Sequence, residues 1–145
     1  MEFVERIKAK AAQDIKTIVL PEAAEERNIK AANQILKEGF AKLVLIGNPD
    51  EIHHLASEYY LDQIDKAVIV DPLNNPKKEE YIELMLKLRA SKGLTREQAE
   101  KLIVDPLYLG ALMVKNGDVD GEVAGANNAT GDVLRPAFQY VKTLP

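Results

Sequence analysis

Thr17-Ile18-Val19-Leu20 is a short apolar run closed by Pro21, and Lys42-Leu43-Val44-Leu45-Ile46-Gly47 is a second. Both are too short for buried helices and read as buried strands. Between them Ile29, Ala32, Ile35 and Leu36 recur at helical spacing, so residues 23–37 are predicted as a helix that Gly39 ends. Ala67-Val68-Ile69-Val70, ending at Asp71-Pro72, is a third strand, and Gly121-Glu122-Val123-Ala124-Gly125-Ala126 a fourth. The strands are apolar throughout rather than two-faced. That pattern belongs to βαβ units around a parallel sheet covered on both sides. Residues 17–20, 43–46, 67–70 and 121–126 are therefore expected as parallel neighbours in one sheet of an α/β domain.

The remaining segments supply the helices. Phe3, Val4, Ile7 and Ala11 mark an amphipathic helix over residues 2–13. Asn48-Pro49 and Asp105-Pro106 each combine a capping side chain with proline in the first turn. Tyr81, Leu84, Met85 and Leu88 mark a helix over roughly 77–91, stopped by Gly93. Thr95-Arg96-Glu97-Gln98 has the form of a capping box for a helix to Leu102. Thr130 is expected to cap a last helix over residues 131–142. No repeat or linker interrupts the pattern, so one domain is expected. A doubly wound sheet would continue past Lys142-Thr143-Leu144-Pro145, because no closing strand follows the last helix.

Composition removes several functions. The 145 residues carry 19 basic and 23 acidic side chains, a net charge of −4, with no basic block. Nothing here argues for a nucleic-acid partner. There is no cysteine, which rules out disulfides, thiol nucleophiles and Cys-ligated metals within these residues and fits a cytoplasmic protein. Met1-Glu2-Phe3-Val4-Glu5-Arg6 lacks the form of a signal peptide, and no apolar run nears the ~20 residues of a membrane helix. His53-His54 is the only histidine pair. Adjacent helical side chains diverge by roughly 100°, so the pair reads as a solvated face rather than a metal site. Glu22, Glu25, Glu26 and Arg27 read as charges opening a helix.

In open α/β sheets, ligands bind beyond the carboxyl ends of the strands. The fourth strand-to-helix junction is the richest: Gly125-Ala126-Asn127-Asn128-Ala129-Thr130-Gly131-Asp132-Val133-Leu134-Arg135. Small residues permit close approach, Asn128 and Thr130 offer donors, and Arg135 supplies a planar cation suited to phosphate. A structural reading stands beside it: Thr130 as a helix cap and Arg135 as the i,i+3 partner of Asp132. Arg89 likewise serves either a substrate or the end of its helix. No Walker loop or dinucleotide fingerprint is present.

Residues Asp118–Ala126 and Thr130–Ala137, with Gln139 and Lys142-Thr143 in register, resemble the phosphate acetyl/butyryl transferase family. So do Val19-Leu20-Pro21-Glu22 with Glu26-Arg27 and Ala31-Ala32, Arg89–Thr95, and Asp105–Tyr108 through Met113-Val114. The matches run through all of this sequence and cover less than half of a typical member. The resemblance implies a three-layer α/β/α fold with a mostly parallel sheet, like that of isocitrate and isopropylmalate dehydrogenases, in two domains with the active site between them. Residues 1–145 would be the N-terminal portion. It implies acetyl transfer between acetyl phosphate and coenzyme A, with inorganic phosphate released or consumed. Coenzyme A enters as a substrate; no metal or other cofactor is required. Arg135 is implied as catalytic, with Asn128, Thr130, Gly131 and Arg89 binding substrate. A Ser-Arg pair and an aspartate base are implied further along, and the whole enzyme as a cytoplasmic homodimer. Alternatives are phosphate butyryltransferase and a non-catalytic acyl-CoA-binding module. One departure stands out: Ala129 occupies a position where the family usually has Ser or Thr, a loss of about 1.5–3 kcal/mol if that hydroxyl meets a charged ligand.

Overall fold

The structure, a computed structural model, describes residues 2–142. Met1 and the Thr143-Leu144-Pro145 end, including Thr143 of the Lys142-Thr143 match, lie outside the described residues. Four strands, β1 (Thr17–Leu20), β2 (Lys42–Ile46), β3 (Val68–Val70) and β4 (Gly121–Glu122), form one sheet in the order β3-β2-β1-β4. Every neighbouring pair is parallel, as expected. The register sets Val19 opposite both Val44 and Glu122, and Val44 opposite Val68.

The helices are α1 (Phe3–Gln13), α2 (Glu26–Glu38), α3 (Pro49–Glu58), α4 (Lys78–Arg89), α5 (Arg96–Leu102), α6 (Pro106–Lys115) and α7 (Thr130–Pro136). Side chains alternate across a strand, and both faces of this sheet are covered. Val19, Val44 and Ile46 join Tyr81, Ile82 and Met85 of α4, Leu109 and Leu112 of α6, and Tyr140 in one core. Leu20, Leu43 and Leu45 join Ile29, Ala32 and Leu36 of α2 and Ile52 of α3 in the other. Two cores on one sheet explain why the strands carry no polar face. Each large side chain so buried contributes about 1.5–3 kcal/mol.

Local signals are realised at most helix ends. Asn48 accepts from Glu51 N at 3.0 Å and Asp105 from Leu107 N at 2.9 Å. Thr95 and Gln98 form the reciprocal capping box. Gly39 ends α2 with φ 77°, in the left-handed region where glycine carries no Cβ penalty.

Three expectations need correction. β4 has two residues rather than six: Val123 N still donates to Val19 O at 3.1 Å, but Gly125 (φ 118°) then turns the chain out of the ladder. The cap of α7 is Ala129, which makes no side-chain hydrogen bond; Thr130 is already the first helical residue. That helix does not run to 142. Pro136 cannot donate to its ladder, and residues Ala137–Val141 widen into a π-type turn in which Lys142 N reaches Ala137 O at 2.8 Å. The first helix, α1, forms as expected, and buries none of its residues: Phe3, Val4 and Ile7 are 67%, 57% and 52% exposed. It is held to α2 by Lys8 Nζ, which donates to Glu38 at 3.0 Å and lies 5.7 Å from the Phe40 ring centre.

Candidate functional site

From β1 the sheet extends one way through β2 and β3, while β4 returns to the opposite side of β1. The strand order therefore reverses between β1 and β4, and the crevice beyond their carboxyl ends is where such folds receive ligands. The residues that follow these two strands, Pro21-Glu22 and Val123–Asn128, meet there.

Glu22 is the one buried charged side chain among the described residues, at 6% exposure. Its Oε1 accepts from Gly125 N at 2.6 Å and Ala126 N at 2.9 Å; its Oε2 accepts from Asn127 N at 2.8 Å and Asn128 Nδ2 at 2.9 Å. Burial pushes the carboxyl pKa up, but these four donors outweigh it and hold the pKa at about 2. Arg27 adds a second tie, donating from Nη2 to Ala126 O at 2.6 Å while pairing with Glu25 at 2.7 Å. The small residues and turned amides of this junction are thus already engaged by a carboxylate of the chain.

Glu122 in β4 has the opposite character. Its carboxyl lies over Gly110 of α6, so close that a Cβ on Gly110 would stand 2.5 Å from Oε1. Burial, with the charge of Glu22 adding to it, raises its pKa to about 7. Two neighbouring carboxylates are therefore driven apart: one held ionised by donors, the other poised between forms at neutral pH.

Two of the predicted site residues line cavities, Asn128 one and Arg89 another, while Thr130, Gly131 and Arg135 line neither. One, of about 370 Å³, lies at the strand ends and is bordered by Glu22, Glu25, Glu51, Asp105, Asn127 and Asn128. Its charged lining is acidic, and Asn128 faces it with its amide given to Glu22. The other, of about 450 Å³, is bordered by Arg89, Lys92, Lys101, Tyr108, Gln139 and Tyr140, and its charged lining is wholly basic. Arg89 closes α4, and its guanidinium carbon sits 5.9 Å from the Tyr140 ring centre. Arg135 is exposed on α7 and reaches Asp132 at 3.5 Å. Thr130 and Gly131 are exposed at the start of α7.

Burial raises the pKa of the Tyr108 hydroxyl in the basic cavity; the charges of Arg135 and Arg89 oppose that rise, and those of Asp105 and Asp132 add to it. Tyr108 and Tyr140 meet edge to face, with ring centres 6.2 Å apart. Tyr140 is 1% exposed, and its hydroxyl is buried without a hydrogen-bond partner. An unpaired buried hydroxyl costs about 1–3 kcal/mol.

Sequence reasoning kept Arg89, Asn128, Thr130, Gly131 and Arg135 as candidates and missed Glu22, Tyr108, Glu122 and Tyr140. Pro21-Glu22, directly after a strand, was the available signal for Glu22. Tyr108 was quoted in a motif without a role. Nothing local marks Glu122 or Tyr140, whose character comes from packing. His53 is exposed on α3, 3.8 Å from Asp65.

Comparison with known proteins agrees with this architecture. The chain is 51% identical over 145 residues to the phosphate acetyltransferase of Acetivibrio thermocellus and equally to that of Thermoanaerobacterium thermosaccharolyticum; in each case all of the chain aligns, to 43% of the relative. The chain thus spans less than half the length of these curated relatives. Among solved structures, it resembles a phosphotransacetylase from Streptococcus pyogenes with a TM-score of 0.93 at 30% identity, covering 100% of this chain and 44% of that one. EutD phosphotransacetylase from Staphylococcus aureus gives a TM-score of 0.89 at 33% identity, covering 98% and 42%. The profile described as phosphate acetyl/butaryl transferase matches residues 2–145, and the chain belongs to that family.

Proposed function

We propose that the protein transfers an acetyl group between acetyl phosphate and coenzyme A, and that these residues form its N-terminal α/β domain and part of its active site. In the forward direction the coenzyme A thiolate attacks the acetyl carbonyl. A carbon–sulfur bond forms, the carbon–oxygen bond to phosphate breaks, and phosphate leaves with the electron pair. The reaction needs two anionic substrates oriented together and negative charge stabilised on the departing group. Arg135 receives the phosphate, helped by Thr130 and Asn128, with Gly131 leaving room for approach and Arg89 as the second cation. Asp132 holds the Arg135 fork rather than touching the ligand.

The observation that carries this reading is the basic cavity beside α6. The chain is acidic overall, with 23 acidic against 19 basic residues, so attraction for a dianion has to be local. Arg89, Lys92 and Lys101 supply it at a cavity without a lining carboxylate. The proposal includes action in the cytoplasm as a homodimer. A chain of 145 residues without cysteine suits a reducing compartment. Among the described residues no helix is long and apolar enough to cross a membrane.

In the full-length enzyme, Arg135→Ala is expected to raise KM for acetyl phosphate and lower kcat, about tenfold or more in kcat/KM. Arg135→Lys should recover only part, because an ammonium lacks the bidentate fork. Steady-state kinetics decide it: if Arg135→Ala leaves both parameters within twofold of wild type, the assignment is wrong.

A further inference from the structure

The crevice at a topological switch point ordinarily offers its amides to a ligand. Here a side chain of β1's own loop has taken them. Three consecutive backbone N–H groups, of Gly125, Ala126 and Asn127, converge on the Glu22 carboxylate, and the Asn128 amide adds a fourth donor. None of these bonds belongs to a strand or helix, so the segment's place is set by one side chain and by Arg27, which grips Ala126 O at 2.6 Å. The segment matters because Ala129 and α7 follow it directly. Wherever residues 125–128 are held, Asn128, Thr130 and Arg135 are placed.

We propose that Glu22 is a positioning residue for the acyl-transfer reaction: its carboxylate fixes the 125–128 segment at the β1/β4 crevice and thereby places Thr130 and Arg135 of α7 for the phosphoryl group. This rests on the reading of Arg135 as the phosphate ligand. It differs from a packing role in one respect. Each carboxylate oxygen accepts two donors, so the near-isosteric amide of glutamine places its NH2 against two N–H groups whichever way it turns. Shape survives in Glu22→Gln, while half of the acceptor capacity is lost. Glu22 also stays ionised across the physiological range, so the hold is not released by ordinary changes of pH.

The test compares Glu22→Gln, Arg27→Ala and Arg135→Ala in the full-length enzyme. Two readouts are used: amide hydrogen exchange at Gly125, Ala126 and Asn127, and steady-state kinetics with acetyl phosphate and coenzyme A varied separately. For Glu22→Gln, exchange at these three amides should quicken at least tenfold while β1 and β2 amides stay unchanged. KM for acetyl phosphate should rise at least fivefold, with KM for coenzyme A within twofold. Arg27→Ala should show the same pattern more weakly, and it decides the matter if Glu22→Gln does not fold. Unchanged exchange, or unchanged KM for acetyl phosphate in a variant whose exchange has quickened, overturns the proposal. If Arg135→Ala raises KM and Glu22→Gln does not, the proposal alone falls. If neither does, the phosphate reading falls and takes this proposal with it.

Discussion

Two glutamates at the same crevice respond to pH in opposite senses, because one is surrounded by donors and the other by apolar groups. Glu22, with its pKa lowered to about 2, contributes stability that is fully present above the ordinary glutamate range and lost as pH falls toward 2. Glu122, raised to about 7, does the reverse: the folded state keeps a proton that the unfolded chain has released, so stability falls as pH rises from about 4.5 through 7. Glu122→Gln should match wild type near pH 4 and exceed it at pH 8 by about 1–3 kcal/mol. Chemical denaturation at the two pH values measures the difference; a variant no more stable than wild type at pH 8 contradicts it. Tyr140 offers a second case. Tyr140→Phe removes a buried hydroxyl that has no partner, so Tm should hold or rise. A fall in Tm of several degrees would mean the hydroxyl is satisfied in the folded protein.

Helix ends were the most legible elements. Asn48, Thr95 and Asp105 sit at their caps as the sequence predicts, because a cap is decided by residues within one turn. The last helix was misread for a physical reason. Thr130 has the chemistry of a cap, but helical geometry begins one residue earlier than that reading requires, with Ala129 in the capping position directly after the segment that Glu22 holds. With Ala129 in that position, the helix has no side-chain cap. Ala129→Ser should stabilise the protein by about 0.5–2 kcal/mol, seen as a raised Tm. No change would show that the first amides of α7 are satisfied in another way. The amphipathic pattern of α1 was read correctly as a helix, but periodicity states only that one face is apolar, not what covers it. Phe3, Val4 and Ile7 remain exposed.

At the scale of the molecule, the chain is a family member that spans 43% of the length of its relatives. Residues 1–145 alone are expected to show no turnover of acetyl phosphate with coenzyme A above a no-protein control, since the proposed reaction needs groups that map beyond them. Turnover by this piece would overturn that division of the active site. The amino-acid sequence determined the parallel four-stranded sheet, the two-sided core and most helix boundaries. Those follow from periodicity and capping, which act over a few residues, and from the uniform apolarity of Thr17–Leu20 and Lys42–Ile46. It also singled out Arg89 and Arg135. Only the tertiary structure decided that Arg89 lines a basic cavity while Asn128 lines an acidic one, and that Arg135 stands exposed on α7 beside Asp132. It alone showed that Glu22 reaches across more than a hundred positions of sequence to Gly125, Ala126 and Asn127. Such contacts depend on the strand order β3-β2-β1-β4, which brings the ends of the first and last strands together. Local pattern cannot specify that order, because βαβ units with the same periodicity pack equally well in other sequences of strands.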